Sequence, residues 1–334
     1  MTKRITMALA AVLAMAAVPA QAQLLAGEKE ASVAAIPGVI AAGAKWELVW
    51  ADFMTADGMT GTEDGGILFA QEQSNSVRKL APDGKAYVWM PDVAGAGAVS
   101  IDAAGRVFAV ERTCTDPGLH MPSCPELTRV VQLAPERRML ANSFADGRPL
   151  GRLNDLLADG QGGAFFTQTG LFHVSAAGKV SVVAEKVDSF TNGLALSPDG
   201  KVLYVTDKEK VLAFDVGKDG TTANRRVFAT LSGEEKGFGG DGLAVDAEGR
   251  LYVTGDAGIH VLDRAGKALG VIPVPRRAIT AAFAGPDRKT LYVGTMGAVG
   301  PDGKAWTTPE GVRNVAMTIY RVPMLAAGPA DRPK

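Results

Sequence analysis

The sequence is short of charge imbalance, of cysteine and of helical periodicity, and each shortage excludes something. Thirty-five Lys and Arg against 36 Asp and Glu leave a net charge of -1 over 334 residues, so there is no electrostatic case for nucleic acid or an anionic membrane as partner. The only two cysteines, Cys114 and Cys124, are spaced far from a CxxC pair, which argues against a thiolate metal or dithiol redox centre. Aromatic residues make up only 6% of the chain. No stretch after residue 36 sustains an apolar period of 3.6, which argues against long helices. G-x-S-x-G, HExxH and Walker patterns are all missing. Gly237-Phe-Gly-Gly-Asp-Gly242 does match GxGxxG, but a polar loop precedes it and a strand pattern follows, the reverse of a dinucleotide-binding turn.

What is abundant is glycine, 40 residues without a G-X-Y period, which points to many tight turns and β structure. The first residues are an address. Lys3 and Arg4 precede an uncharged apolar run from Ile5 to Val18, and Ala20-Gln21-Ala22 offers the small residues of a cleavage site. The run is shorter than the roughly 20 residues a bilayer span requires, so a signal peptide over 1–22 is expected. Cleavage before Gln23 would lower the basic count from 35 to 33 and the net charge to -3. No later stretch is long and apolar enough to span a membrane, so the mature chain is expected to be secreted, in the periplasm, as a monomer. Export would place Cys114 and Cys124 in an oxidising compartment, where a loop-closing disulfide is expected.

A repeat organises the remainder. Segments beginning at Asp57, Gly97, Asn154, Asn192, Asp241 and Thr280 resemble one another and start 40, 57, 38, 49 and 39 residues apart. Most run into a polar glycine turn and a β-rich stretch, and periods near 40 to 50 built from strands indicate propeller blades. The fifth copy is clearest, with strands expected over Leu243–Asp246, Arg250–Thr254, Gly258–Leu262 and Ala268–Val274. Nine Asp-Gly dipeptides, starting at 57, 64, 83, 146, 159, 199, 219, 241 and 302, read as hairpin turns. The expected fold is all-β, a six-bladed β-propeller with four-stranded antiparallel blades. It would span 46–322, after an N-terminal extension over 23–45 and before a tail over 323–334. Strands at Trp46–Ala51 and Met317–Val322 could close the ring and remove exposed edges. The 312 mature residues give about 52 per blade. His173 and His260 fall inside strand patterns and are expected to be packing residues.

In a propeller the first strand of each blade lines the axis, so the six leading residues converge at one face. Asp57, Gly97, Asn154, Asn192, Asp241 and Thr280 supply two carboxylates, two carboxamides and a hydroxyl. Oxygen donors without thiolate or imidazole suit one divalent cation, calcium first, with magnesium, manganese or zinc as alternatives. The metal set expected from position is Asp57, Asn154, Asn192 and Asp241. The long second interval holds a strand from Arg106 to Glu111 and then the Cys114–Cys124 loop. If that strand is second in its blade, the loop emerges on the metal face and would partly cover the channel mouth, with Glu111, a candidate substrate contact, and Arg112 at its base.

Arg152-Leu-Asn-Asp155, Asn192-Gly-Leu-Ala-Leu-Ser-Pro-Asp-Gly200, Leu203-Tyr-Val-Thr-Asp207, Asn224-Arg-Arg-Val-Phe228 and Asp241-Gly-Leu-Ala-Val-Asp-Ala-Glu-Gly249 together resemble the senescence-marker-protein/gluconolactonase (regucalcin-like) family of six-bladed propellers, from about Trp46 to Val322. The resemblance implies one axial divalent cation and hydrolysis of lactones or related esters. It further implies Asn192 and Asp241 as ligands, Asn154 as ligand or substrate contact, Arg152 as a substrate-orienting cation, and Asp241 as general base. Asp57-Gly-Met59 stands where the family has a Glu-Gly-Pro-like motif. After Phe166-Thr-Gln-Thr169 the chain turns directly into Gly170-Leu-Phe, without the acidic substrate loop of the sugar-lactone members. The cation would polarise the ester carbonyl while Asp241 takes a proton from water. The alternative is a non-catalytic periplasmic propeller that binds a small molecule or protein around a structural cation.

Overall fold

The structure is a computed structural model that describes residues 24–52, 54–113, 128–185, 191–237, 239–297, 304, 307–308, 311–312 and 316–330. The expected leader and the Cys114–Cys124 pair with its loop lie outside the described residues. No described residue is helical.

Twenty-four of the strands form six antiparallel sheets of four. Blade 1 is β2 (Asp57–Gly61), β3 (Ile67–Gln71), β4 (Ser76–Leu80) and β5 (Ala86–Met90). Blade 2 is β6 (Ala96–Ile101), β7 (Val107–Glu111), β8 (Arg129–Ala134) and β9 (Arg138–Ala141). Blade 3 is β10 (Leu156–Ala158), β11 (Ala164–Thr167), β12 (Leu171–Val174) and β13 (Val180–Ala184). Blade 4 is β14 (Thr191–Leu196), β15 (Val202–Asp207), β16 (Lys210–Val216) and β17 (Thr222–Thr230). Blade 5 is β18 (Leu243–Val245), β19 (Leu251–Gly255), β20 (Gly258–Leu262) and β21 (Ala268–Ile272), within two residues of the expected bounds. Blade 6 is β22 (Ala278–Ala284), β23 (Thr290–Met296), β26 (Ala316–Pro323) and, outermost, β1 (Glu47–Ala51). A separate hairpin pairs β24 (Thr307–Thr308) with β25 (Gly311–Val312).

Blade 6 therefore joins the first strand of the chain to the last. Leu48 pairs with Tyr320 and Ala51 with Thr318, so the ring closes through backbone hydrogen bonds rather than leaving an open edge. The segment before β1 adds to this closure. Ile36, Val39 and Ile40 bury themselves against blades 5 and 6, and the Val39 carbonyl accepts the N–H groups of Leu325 and Ala326.

Why the blades pack is visible in the alternation of side chains. Inner and middle strands are buried on both faces, as in β3 and β22, whose every residue is buried. Along β3, Leu68 and Ala70 pack toward blade 2, whereas Ile67 and Phe69 pack toward blade 6; successive side chains leave a strand on opposite faces. Such strands read as nearly continuous apolar runs. Six apolar clusters result, one at each junction between neighbouring blades. The outermost strands β5, β13 and β21 are largely exposed or only half-buried. Full burial of side chains such as Phe69 or Phe108 stabilises by about 1.5–3 kcal/mol each, and the junctions hold the inner strands at fixed distances from the axis.

Candidate functional site

Four of the six repeats, those starting at Asp57, Asn154, Asn192 and Asp241, carry two polar residues five positions apart, and the structure sends the two positions to opposite ends of the inner strand. The second position closes the turn into the next strand. Asp102 Oδ1 accepts the N–H groups of Ala104 and Arg106, Asp159 Oδ1 those of Gln161 and Gly163, and Asp246 Oδ1 those of Glu248 and Arg250. These are turn carboxylates. The first position faces the axis: Asp57, Gly97, Asn154, Asn192, Asp241 and Thr280 line one small cavity of about 10 Å³, room for roughly one water-sized sphere.

A bulge aims each of these residues. In β2 the register slips between Asp57 and Met59, in β6 between Ala96 and Ala98, in β14 between Thr191 and Leu194, and in β22 between Ala278 and Thr280. At the start of β10, Asn154 and Asp155 both bond the backbone of Thr167; at the start of β18, Asp241 and Gly242 both bond that of Thr254. Two residues opposite one turn the strand and re-aim a side chain, here toward the axis in all six blades.

This geometry corrects the reading of Asp57-Gly and Asp241-Gly as hairpin turns. Asp57-Gly58 begins β2 and Asp241-Gly242 leads directly into β18, and their glycines serve close approach between blades. A Cβ on Gly58 would lie 2.4 Å from Ala98 Cα, and one on Gly242 would lie 2.8 Å from the Ile279 carbonyl oxygen. Gly193, after Asn192, is equally confined, with the Asp241 carbonyl oxygen 2.4 Å from a Cβ. In six other dipeptides Gly65, Gly84, Gly147, Gly160, Gly200 and Gly220 do adopt positive φ in turns, and the ninth, starting at 302, lies outside the described residues.

Buried threonines lock the ring from behind. Thr167 Oγ1 donates to the Asn192 carbonyl at 2.8 Å, Thr206 Oγ1 to the Asp241 carbonyl at 2.8 Å, and Thr254 Oγ1 to the Gly242 carbonyl at 2.9 Å. In the first two cases the hydroxyl of one blade holds the axial residue of the next. Thr280 spends its own hydroxyl on the N–H of Met59 at 3.3 Å.

Arg112, just beyond β7, enters the ring. It is 5% exposed. Its Nε donates to the Leu153 carbonyl at 3.0 Å, and its Nη2 donates to the Asn154 carbonyl at 2.8 Å and to Asn154 Oδ1 at 3.1 Å. Its Nη1 faces Glu72 Oε2 at 3.1 Å and Asp57 Oδ2 at 3.4 Å. Burial disfavours the charge on Arg112, but Glu72 and Asp57 outweigh it and raise the guanidinium's pKa. The sequence placed Arg112 at the base of a loop and did not single out Glu72, which follows β3 outside every repeat position. The signal that could have found them is Gly97, a ring position without a side chain: a Cβ there would lie 2.2 Å from Arg112 Nε.

The opposite side of the ring is different. The side chains of Asn192 and Asp241 have no hydrogen-bond partner among the described residues. Burial pushes the Asp241 carboxyl up to about 8, and the nearby Asp57 carboxylate adds to the effect against the pull of Arg277. Burial likewise pushes Glu72 up to about 7, with Arg112 and Arg152 opposing. Three aspartates, Asp57, Asp155 and Asp241, line this cavity with the carboxamides of Asn154 and Asn192, and such a set of oxygen donors suits a hard cation. No group of three or more His, Cys, Asp or Glu is arranged to hold a metal ion among the described residues, so any such ion would rely on the asparagines.

The other expected site residues do not line the axial cavity, although the charge of Arg152 reaches Glu72. Arg152 is exposed in the loop before β10. Glu111 is buried at the end of β7 with Arg129 Nε 2.6 Å and Arg137 Nη2 2.7 Å from its carboxylate, and it does not line the axial cavity. His173 and His260 are buried strand residues, but each also meets a carboxylate, Asp159 at 2.8 Å and Glu234 at 2.9 Å. The connection after β11 is short, Gln168 to Gly170, as its sequence indicated.

With this geometry in view, the comparisons are specific. The SMP-30/gluconolactonase/LRE-like region matches residues 89–297. The chain is 29% identical over 277 residues to the pentonolactonase of Haloferax volcanii, covering 73% of this chain and 92% of that one. It is 21% identical over 288 residues to the gluconolactonase of Zymomonas mobilis, covering 74% and 78%. Among solved structures, a gluconolactonase from Xanthomonas campestris superposes with a TM-score of 0.66 at 19% identity, over 92% of this chain and 99% of that one. A calcium-binding regucalcin from Agrobacterium tumefaciens does so at 0.61 and 19%, over 83% and 92%. The structural likenesses carry the fold, and the sequence match carries the family: this chain belongs to the SMP-30/gluconolactonase/LRE-like family.

Proposed function

We propose that the protein is an exported, metal-dependent hydrolase of lactones or related esters. One observation carries the reading: Asn192 and Asp241 present side chains without a hydrogen-bond partner among the described residues to the same small axial cavity as Asp57 and Asn154. The names of the gluconolactonase and pentonolactonase relatives support lactones as the substrate class, and the calcium-binding structural neighbour supports a divalent cation.

Asp57, Asn154, Asn192 and Asp241 would hold the ion, with calcium first by donor hardness. When bound, the cation would polarise the lactone carbonyl and stabilise the oxyanion. Arg152, exposed beside the ring, orients the substrate through its acyl and hydroxyl oxygens, and Asn154 contacts the substrate at the cavity mouth. Asp241 accepts a proton from the attacking water as the oxygen bonds to the carbonyl carbon. The ring C–O bond then breaks, and the same proton returns to the departing alkoxide to give the hydroxy acid. No covalent enzyme intermediate is required. Export rests on the leader sequence, and the near-neutral charge fits a small-molecule substrate rather than a polyanion.

The test is a panel of lactones and aryl esters assayed with EDTA and with added calcium. The expected result is lactone turnover that disappears in EDTA and returns with calcium. Calcium-dependent stabilisation without turnover of any panel member would replace the enzyme with a binding propeller around a structural ion.

A further inference from the structure

The ring is not six equivalent positions around an empty axis, because one blade contributes a cation. Blade 2 has glycine at its ring position, and Arg112 from the end of its second strand fills the space that a side chain at 97 would need. The guanidinium spends all three nitrogens on fixed acceptors of neighbouring blades. Glu72, 3% exposed, is a buried counter-charge in blade 1. A buried arginine threaded past a glycine onto a buried glutamate is a built arrangement rather than a surface side chain that has folded inward.

The consequence falls on the ligand set. Asp57 Oδ1 already accepts the Gly58 N–H at 2.8 Å, while Asp57 Oδ2 and Asn154 Oδ1 face Arg112. Two of the four side chains that would hold a divalent ion are therefore engaged by a permanent positive charge, which also repels a second cation placed beside it. Asn192 and Asp241 are not so engaged. We propose that Arg112 is a resident cation that holds the Asp57–Asn154 half of the ring and thereby weakens the affinity of the site for a divalent ion. The inference rests on the cation reading above and deepens it: the ion is held chiefly by Asn192 and Asp241, and the arginine sets how tightly.

Calorimetric titration of the full chain with calcium tests this without reference to turnover. Arg112→Gln removes the charge, and Arg112→Gln/Glu72→Gln does so without leaving a buried carboxylate unpaired, so that at least one folded variant is available. Folding is checked by the β-type circular dichroism of each protein. Both variants are expected to bind calcium at least tenfold more tightly than the wild type, and adding Asp57→Asn to Arg112→Gln is expected to cancel the gain. A wild type with no measurable uptake beside an Arg112→Gln variant that binds would be the extreme form of the same result. Folded variants that bind calcium no more tightly than a calcium-binding wild type would overturn the role of Arg112 and leave the cation reading standing. No uptake by any of these proteins at millimolar calcium would remove the cation reading, and this inference with it.

Discussion

Replacing Thr206 by valine is the sharpest test of how the axial residues are held. Thr206 is fully buried, and its hydroxyl donates to the Asp241 carbonyl at 2.8 Å, with the Gly193 carbonyl 3.5 Å away. Valine keeps the shape and removes the donor, so the Asp241 carbonyl loses this partner at a cost of about 1–3 kcal/mol. In a chain of this size each kcal/mol lowers the melting temperature by about 2 °C, so a drop of roughly 2–6 °C is expected in differential scanning fluorimetry. Asp241 also loses one of the two hydrogen bonds that fix its backbone, and lactone turnover should fall about tenfold, since small misplacements of catalytic groups are expensive. Thr206→Ser should restore both. Thr60→Val is the internal control: Thr60 is as deeply buried, but its hydroxyl has no partner among the described residues, so its loss should be neutral or stabilising. A Thr206→Val protein that melts and turns over like the wild type would refute the idea that the buried threonines set the ring.

Further expectations concern packing, pH and processing. Gly242→Ala places a Cβ 2.8 Å from the Ile279 carbonyl oxygen and should destabilise by about 1–3 kcal/mol in urea titration, whereas Gly84→Ala in an exposed turn meets no atom and suffers only the strain of its φ of +83°. Asp159 and Glu234 are buried, which pushes their carboxyls up, yet His173 and His260 with nearby backbone N–H groups more than compensate and hold both below the ordinary range. A lowered folded pKa stabilises above the unfolded value and is lost as pH falls through the folded one. Asp159→Asn/Glu234→Gln should therefore lower stability at neutral pH and flatten its acid limb below about pH 4.5; an unchanged acid limb would exclude these pairs as its cause. N-terminal sequencing of the exported protein should begin at Gln23.

Much of this architecture is legible because a propeller repeats. Six copies of one segment locate the inner strands, and acceptors at four equivalent starts locate the axis, even though Asn-Gly or Asp-Gly alone is only a turn signal. The same repetition hides what departs from it. Asp57-Gly and Asp241-Gly resemble the turn dipeptides elsewhere, and only the approach of neighbouring backbones distinguishes the two uses of glycine. Bulges leave no mark on the apolar pattern, because they add one residue at a position that is polar anyway. Arg112 and Glu72 belong to no repeat position; their meeting depends on how blades 1 and 2 sit side by side. Glu111 looked like a site residue because it ends a strand on the axial face, but its place in the pleat delivers its carboxylate to Arg129 and Arg137 instead.

Asp241 carries the proton transfer on which the proposed hydrolysis depends. Initial rates of lactone hydrolysis, measured at saturating calcium for wild type and Asp241→Asn in parallel, decide it. A general base contributes on the order of 10²–10⁴, so the variant is expected to retain no more than about one per cent of wild-type turnover while remaining folded. A folded Asp241→Asn protein that hydrolyses lactones at the wild-type rate would contradict the assignment of the axial ring as the catalytic site.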